Sequence, residues 1–492
     1  VVFARYFPVD GAYAAFLVAF RIPNLLRRLV AEGAFSLAFV PVLSEYKANK
    51  SQHELKNLVD YVAGYLGLVL LVISLLGVLA APLIIMVVAA GFEGRADARP
   101  ELAVDLLRIT FPYIFFISLS AFMTGILNTF NKFAIPSFTP VLLNVILIAS
   151  AIWFAPLFDE PVEALAWGVL LGGIAQFLFQ VPSVWRLGLL PKPKFSAAHQ
   201  GVKKIIKLMI PAIFGSSVAQ LNLLLNTIIA SFLAIGSLGW LYYSDRFVEL
   251  PLALFGVAIG TVILPKLSKD YAKEADGAFN HTMDWAIRLA LLIALPAMLG
   301  LMLLAMPILA TIINYGAFTW HDVEMSTLSL TTYAFGLPAF ILVKVLAPGF
   351  YARQDTKTPV KIGIIAVFAN MLLSLVIVLP WYLSGREGAH AGLALAVALA
   401  GYINAGLLFY TLRRDKVFQA NQGWWGFMAK MSVATGLMGL VLWLSTPNAL
   451  WWQAASGGDR ALALVALIAV AIVVFFSALY LLGIRVRQLL NH

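Results

Sequence analysis

An all-α protein that crosses a membrane many times is the fold class this sequence predicts, and three observations predict it. Of its 492 residues, 62% are hydrophobic and only 12% charged, where an ordinary soluble domain is about 25% charged. Whole stretches, 62–91 and 136–158 among them, carry no charged side chain, and about 20 such residues suffice for a helix to cross hydrocarbon. The connections between these stretches alternate between basic and acidic. Helices and closed barrels are the two structures that satisfy their backbone in lipid, and the short alternating segments of a barrel are absent from the sequence. A mean hydropathy of +0.91 disfavours a large soluble helical core.

Thirteen apolar segments follow in order: 11–46, 59–91, 106–131, 136–158, 164–185, 205–234, 237–265, 282–315, 325–352, 360–383, 391–412, 425–446 and 461–484. Residues 1–8, VVFARYFP, read as the end of a fourteenth whose beginning is missing. The uncharged run 208–244 is too long for one span and is expected to break at Ile235-Gly236-Ser237. Loop charge tests the count. Basic connections carry Lys47, Lys50 and Lys56; Lys132; Arg186 to Lys207; Lys266, Lys269 and Lys273; Arg353, Lys357 and Lys361; and Arg413, Arg414 and Lys416. The intervening ones are acidic, balanced or uncharged, as at Asp159-Glu160, Asp322 with Glu324, Arg386-Glu387 and Asp459-Arg460. The positive-inside rule places the basic set, and both termini, in the cytoplasm. The net charge of +10 therefore follows topology and not nucleic acid.

Cysteine is absent, which excludes disulfides and thiolate metal sites. The six histidines form no metal-ligand spacing, and no Walker motif points to ATP. Connections of at most about 20 residues leave no room for a soluble domain, so function resides among the helices. A weak repeat joins the two halves. Pro41-Val-Leu-Ser44 recurs as Pro265-Lys-Leu-Ser268, offset by 224 residues. The stretch 127–136 (LNTFNKFAIP) aligns without gaps on 350–359 (FYARQDTKTP), offset by 223. Parallel repeats are a known transporter plan; segments 425–446 and 461–484 fall outside the repeat.

Charge inside the membrane is expensive, about 2.5–3.5 kcal/mol on insertion scales, and marks function. At 100° per residue Arg21, Asn24, Arg28 and Glu32 form one stripe, with Arg27 a quarter turn away. The stripe is expected to face a wet central cavity; snorkelling of Arg27 and Arg28 to an interface, with Glu32 as counter-ion, is the structural alternative. In the second half Tyr242, Asp245 and Glu249 share a face, and Arg246 can pair with Glu249 three residues on. They read as a second cavity wall or a gate, or else as an ion cluster locking helices. Lys344 is interfacial or a further cavity residue. Asn370 and Ser374 are weak cation-site candidates, with an interhelical hydrogen bond as the alternative. The set is net cationic, and arginine suits bidentate phosphate recognition, so an anionic, phosphorylated cargo is expected.

The runs 23–47 (PNLLRRLVAEGAFSLAFVPVLSEYK), 126–144 (ILNTFNKFAIPSFTPVLLN), 242–269 (YYSDRFVELPLALFGVAIGTVILPKLSK) and 343–362 (VKVLAPGFYARQDTKTPVKI) resemble the MurJ (MviN) family of lipid II flippases, within the multidrug/oligosaccharidyl-lipid/polysaccharide exporter superfamily. The resemblance implies fourteen helices: two six-helix bundles, here 1–190 and 200–416, and two extra helices in 417–492 that form a groove for a lipid tail. It implies movement of undecaprenyl-diphosphate-linked disaccharide-pentapeptide to the outer leaflet for peptidoglycan synthesis. The family's cavity arginines map onto Arg27, Arg28 and Arg246, and its acids onto Glu32, Asp245 and Glu249. Ala14 stands where the family pattern has Asp.

The expected function is thus a lipid II flippase of the bacterial inner membrane working by alternating access. Substrate binding is assigned to Arg27, Arg28, Arg246, Arg21 and Asn24, gating to Glu32, Asp245 and Glu249. No catalytic residue, cofactor or metal is expected. The drive would be the membrane potential or a coupled monovalent ion. Lipid II and membrane lipids are the expected partners, with a monomer that associates with the cell-wall synthesis machinery. Rivals are a flippase for another lipid-linked oligosaccharide, a membrane glycosyltransferase acting on lipid II, and a sodium-coupled drug exporter, for which the cavity charge has the wrong sign.

Overall fold

The computed structural model describes residues 1–29, 35–195, 199–272, 277–385, 387–419 and 423–484. The chain divides into two compact units, Val2–Leu238 and Gly239–His492. The first contains α1 (Val2–Tyr6), α2 (Gly11–Leu26), α3 (Ser36–Asn49), α4 (Gln52–Leu79), α5 (Ala81–Val88), α6 (Pro100–Thr110), α7 (Tyr113–Thr129), α8 (Ala134–Ala149), α9 (Pro161–Arg186) and α10 (Gln200–Ser231). The second is built from α11 (Ser237–Pro251), α12 (Ala258–Ala272), α13 (Ala278–Leu303), α14 (Ala305–Ile312), α15 (Trp320–Phe335), α16 (Leu337–Tyr351), α17 (Lys357–Leu383), α18 (Ala389–Arg414), α19 (Trp424–Ser445), α20 (Ala449–Ala454) and α21 (Gly457–Leu481). No strand occurs among the described residues.

Eleven helical runs are long and apolar enough to span a bilayer among the described residues. The remaining two of the thirteen segments correspond to α2 with α3 and to α10. The break expected near residues 235–237 is present, since α10 ends at Ser231 and α11 starts at Ser237. Helix starts are made by capping side chains: Ser51 with Glu54 for α4 and Thr319 with Asp322 for α15 form reciprocal boxes, each satisfying two amide donors that a helix start leaves bare.

The repeat is visible in the backbone. Asn131 and Gln354, aligned by the 127–136 and 350–359 match, are both left-handed, with φ of 58° and 61°. In each unit the same pair of bonds closes the helix: Lys132 N to Leu127 O at 2.9 Å and Asp355 N to Phe350 O at 3.0 Å, with Asn131 N to Asn128 O at 3.0 Å and Gln354 N to Tyr351 O at 2.9 Å. These bonds satisfy carbonyls that a helix end leaves open. A second shared feature is a π turn, at residues 27–29 in the first unit and Leu252–Val257 in the second. The 224-residue offset of the repeat brings the first onto the start of the second.

Repeat and packing divide the chain differently at α10. By the repeat it opens the second half; by packing it lies with α3, α4 and α5 of the first unit. At one end Gly91 meets it so closely that a Cβ there would lie 2.4 Å from Phe232 N, and Gly91 N donates to Ser231 Oγ at 3.0 Å. At the other, Lys204 Nζ donates to Glu45 Oε2 at 2.5 Å.

Candidate functional site

In the first unit α2 carries Arg21 and Asn24, and the π turn that follows carries Arg27 and Arg28. A π turn holds an extra residue per turn, so the stripe drawn at 100° per residue does not continue through it. Arg21 Nη1 donates to Thr227 Oγ1 of α10 at 2.7 Å. Arg27 Nε and Nη2 both donate to Asn24 Oδ1, at 3.1 and 2.8 Å. Asn24 therefore orients one arginine, while a second reaches across to α10. Arg28 is half-buried and pairs with no carboxylate among the described residues. Glu32, its expected counter-ion, lies outside the described residues. Arg27 also lines a cavity of about 310 Å³ whose other described walls come from α3, α7, α8 and α9. Ala14 is buried, with 2% exposure.

In the second unit one face of α11 is locked. Trp240 Nε1 donates to Asp322 Oδ1 and Ser244 Oγ to Ser326 O, both at 2.8 Å, which fixes α11 against α15. Tyr242, Asp245, Arg246 and Glu249 fall on the other side. Arg246 Nη1 donates to Glu249 Oε2 at 2.8 Å, the pair expected from their spacing, and its guanidinium sits 5.0 Å over the Tyr242 ring. The side chains of Arg246 and Glu249 are 48% and 45% exposed. An ion pair so exposed is worth about 0–1 kcal/mol, so Arg246 can exchange its partner for a phosphate at little cost.

Lys344 on α16 is exposed and forms no ion pair among the described residues. Its backbone faces Gly260 of α12, where a Cβ would lie 2.8 Å from Lys344 O. Asn370 and Ser374 are fully buried on α17. Ser374 Oγ has no hydrogen-bond partner among the described residues.

Two features escaped the sequence reading. Asp284 and Arg288 of α13 form an ion pair at 2.7 Å. Trp424 Nε1 of α19 donates to Asp284 Oδ1 at 2.6 Å, and Arg288 lies over the rings of Trp424 and Phe427 at 4.8 and 5.2 Å. Their spacing inside segment 282–315 was the available signal. Arg460, read as half of a balanced outer loop, is 7% exposed. It donates to Ala310 O at 3.0 Å, Asn314 Oδ1 at 3.1 Å and Gln453 O at 2.9 Å, while Ser456 caps α21, its Oγ accepting from Asp459 N at 3.3 Å and donating to Asp459 Oδ2 at 2.7 Å.

Comparison with known proteins supplies the context for these cations. The family model described as lipid II flippase MurJ matches residues 3–454. The chain is 44% identical over 498 residues to the probable lipid II flippase MurJ of Vibrio cholerae, covering 99% of this chain and 93% of that protein. It is 42% identical to the lipid II flippase MurJ of Burkholderia cenocepacia, covering 98% and 93%. A solved structure of lipid II flippase MurJ in an inward closed conformation superposes with a TM-score of 0.82 at 30% identity, covering 100% of this chain and 96% of that one. An inward-facing multidrug transporter of the MATE family shares the fold, with a TM-score of 0.70 at 16% identity over 84% of this chain and 92% of the other. The chain is a multi-pass membrane protein and belongs to the MurJ family of lipid II flippases.

Proposed function

We propose that this protein carries lipid II from the cytoplasmic to the outer leaflet of a bacterial inner membrane, exposing the headgroup to one side and then to the other. The observation that carries the reading is the excess of fixed cations on membrane helices in a chain of this family: Arg21, Arg27 and Arg28 in one unit, Arg246 and Lys344 in the other. A diphosphate entering bare hydrocarbon faces a desolvation cost of order tens of kcal/mol. Guanidinium groups replace the lost water with bidentate, charge-assisted hydrogen bonds. Arg27, held by Asn24, and the weakly paired Arg246 are the groups readiest to do so, with Arg28 between helical turns of different pitch. The polyprenyl tail stays in lipid, along the exposed Leu444, Leu462 and Val465 side chains of α19 and α21.

The basic connections support a topology in which they, and the carboxyl terminus, face the cytoplasm. An inside-negative potential then favours outward movement of an anionic headgroup by about 2.3 kcal/mol per charge per 100 mV. A monovalent cation near Asn370 and Ser374 is the alternative source of drive. We take the protein to act as a monomer that hands its cargo to the cell-wall synthesis machinery.

The test is rescue of a strain depleted of its lipid II flippase. The parent chain restores growth and cell shape, whereas Arg28→Ala and Arg246→Ala reach the membrane in normal amount and do not. Failure of the parent chain, together with rescue of a strain lacking a different lipid-linked oligosaccharide flippase, would reassign the substrate.

A further inference from the structure

The cavity inside the first unit has a chemistry that the diphosphate does not use. At about 310 Å³ it has room for about ten waters at their liquid volume of roughly 30 Å³ each, far more than a lone ion needs. Its described lining includes one guanidinium, that of Arg27, and no carboxylate, so a cation is repelled from it. The other polar groups are neutral amides and hydroxyls. Ser120 and Thr124 are joined through Gln180, which is not itself in the described lining: Gln180 Nε2 donates to Ser120 Oγ at 2.6 Å and Thr124 Oγ1 to Gln180 Oε1 at 3.0 Å, while Gln176 Nε2 donates to Thr139 O at 3.1 Å. This network fixes the side chains. It leaves Gln176, only 3% exposed, with its Oε1 lacking a hydrogen-bond partner among the described residues. A buried acceptor left bare costs free energy that an incoming donor recovers. Asn144 of α8 adds an exposed amide to the same lining. Pro136, Pro140 and Leu143 supply apolar surface beside these groups.

Apolar faces alternating with hydroxyls and amides match a pyranose ring, which has an apolar face and a polar rim. We propose that this cavity is a saccharide subsite, taking an N-acetylated pyranose of the lipid-linked cargo. The sugar's hydroxyl or amide N–H groups reach Gln176 Oε1 and Asn144, its apolar face packs on Pro140 and Leu143, and its phosphate-bearing end lies toward Arg27. The proposal rests on the flippase reading above and extends it from the diphosphate to the sugar.

The experiment compares binding of lipid II and of undecaprenyl diphosphate, which lacks sugar and peptide, to the full chain in a sugar-free detergent, read by native mass spectrometry. The parent binds lipid II at least about tenfold more tightly, as two or more extra hydrogen bonds require. Ala121→Phe, which fills the cavity from its wall, removes that preference by weakening lipid II alone. Asn144→Ala, at an exposed position where folding is not at issue, narrows it by about threefold, the loss of one hydrogen bond. A preference that survives in both variants overturns the subsite. Equal binding of the two lipids by the parent also overturns it and leaves the flippase reading standing. Binding of neither lipid overturns both.

Discussion

Asp284→Ala is the perturbation whose cost follows most directly from geometry. Its carboxylate is 7% exposed, pairs with Arg288 at 2.7 Å, and Arg288 itself is 16% exposed. The same carboxylate accepts a hydrogen bond from Trp424 Nε1 at 2.6 Å. Truncation leaves a largely buried cation without that acid and the indole N–H without its acceptor. Breaking a buried pair from one side costs about 3–5 kcal/mol. The two aromatic rings over Arg288 return part of this, about 0.5–2 kcal/mol, which places the expected loss near 3 kcal/mol. Removing both charges by Asp284→Ala with Arg288→Met leaves an apolar stem under the rings and costs about 1 kcal/mol. The double-mutant cycle should therefore report a coupling of about 2 kcal/mol or more. Reversible unfolding in mixed micelles measures it. A double variant as unstable as Asp284→Ala alone, with coupling near zero, would refute the idea that this pair and its aromatic cover fasten α19 to α13.

Gln354→Gly relieves a left-handed residue with a Cβ and should stabilise the fold by about 0.5–1 kcal/mol; Asn131→Gly should gain less, because Asn tolerates that region, and thermal unfolding ranks the two. Gly64→Val should lift the connection between α9 and α10, because a Cβ there would lie 2.2 Å from Lys194 O; faster limited proteolysis at Lys192 and Lys194 reads this, with Gly67→Val, which meets nothing within 4 Å, as the silent control. His199 sits against Tyr61 with ring centroids 4.7 Å apart, and burial holds its imidazole below the ordinary 6.5. The unfolded chain therefore binds this proton more readily than the folded one, so stability falls as pH drops below about 6.5 and recovers above it. His199→Phe should flatten that part of the stability profile.

The apolar segments were legible because burial in lipid demands an uninterrupted run, and the break before Ser237 was legible because the run exceeded one span. Long segments hid internal joints: 59–91 divides at Ala80 and 282–315 at Leu304, where the helix axis restarts without a change in hydropathy. Arg246 with Glu249 followed from helical spacing alone. Arg21 and Arg27 did not, because the π turn changes the angle per residue and Thr227 comes from a helix about 200 residues away. The cavity lined by Gln176 and Asn144 gave no sequence signal, since neutral amides in a membrane helix carry no charge to betray them. Asp284 with Arg288 was readable by the rule that found Arg246 with Glu249. The allegiance of α10 was not, because it depends on close approaches such as Gly91 against Ser231 that only packing creates.

Transport as proposed requires guanidinium groups to carry a phosphate headgroup across the bilayer. Leaflet-resolved accessibility of lipid II, in cells whose only flippase is this chain, tests it most directly. The parent should deliver lipid II to an outer-leaflet probe, while Arg28→Ala and Arg246→Ala, present at equal abundance, should leave it on the cytoplasmic side. Outer-leaflet lipid II appearing at the parental rate in both variants would contradict the account.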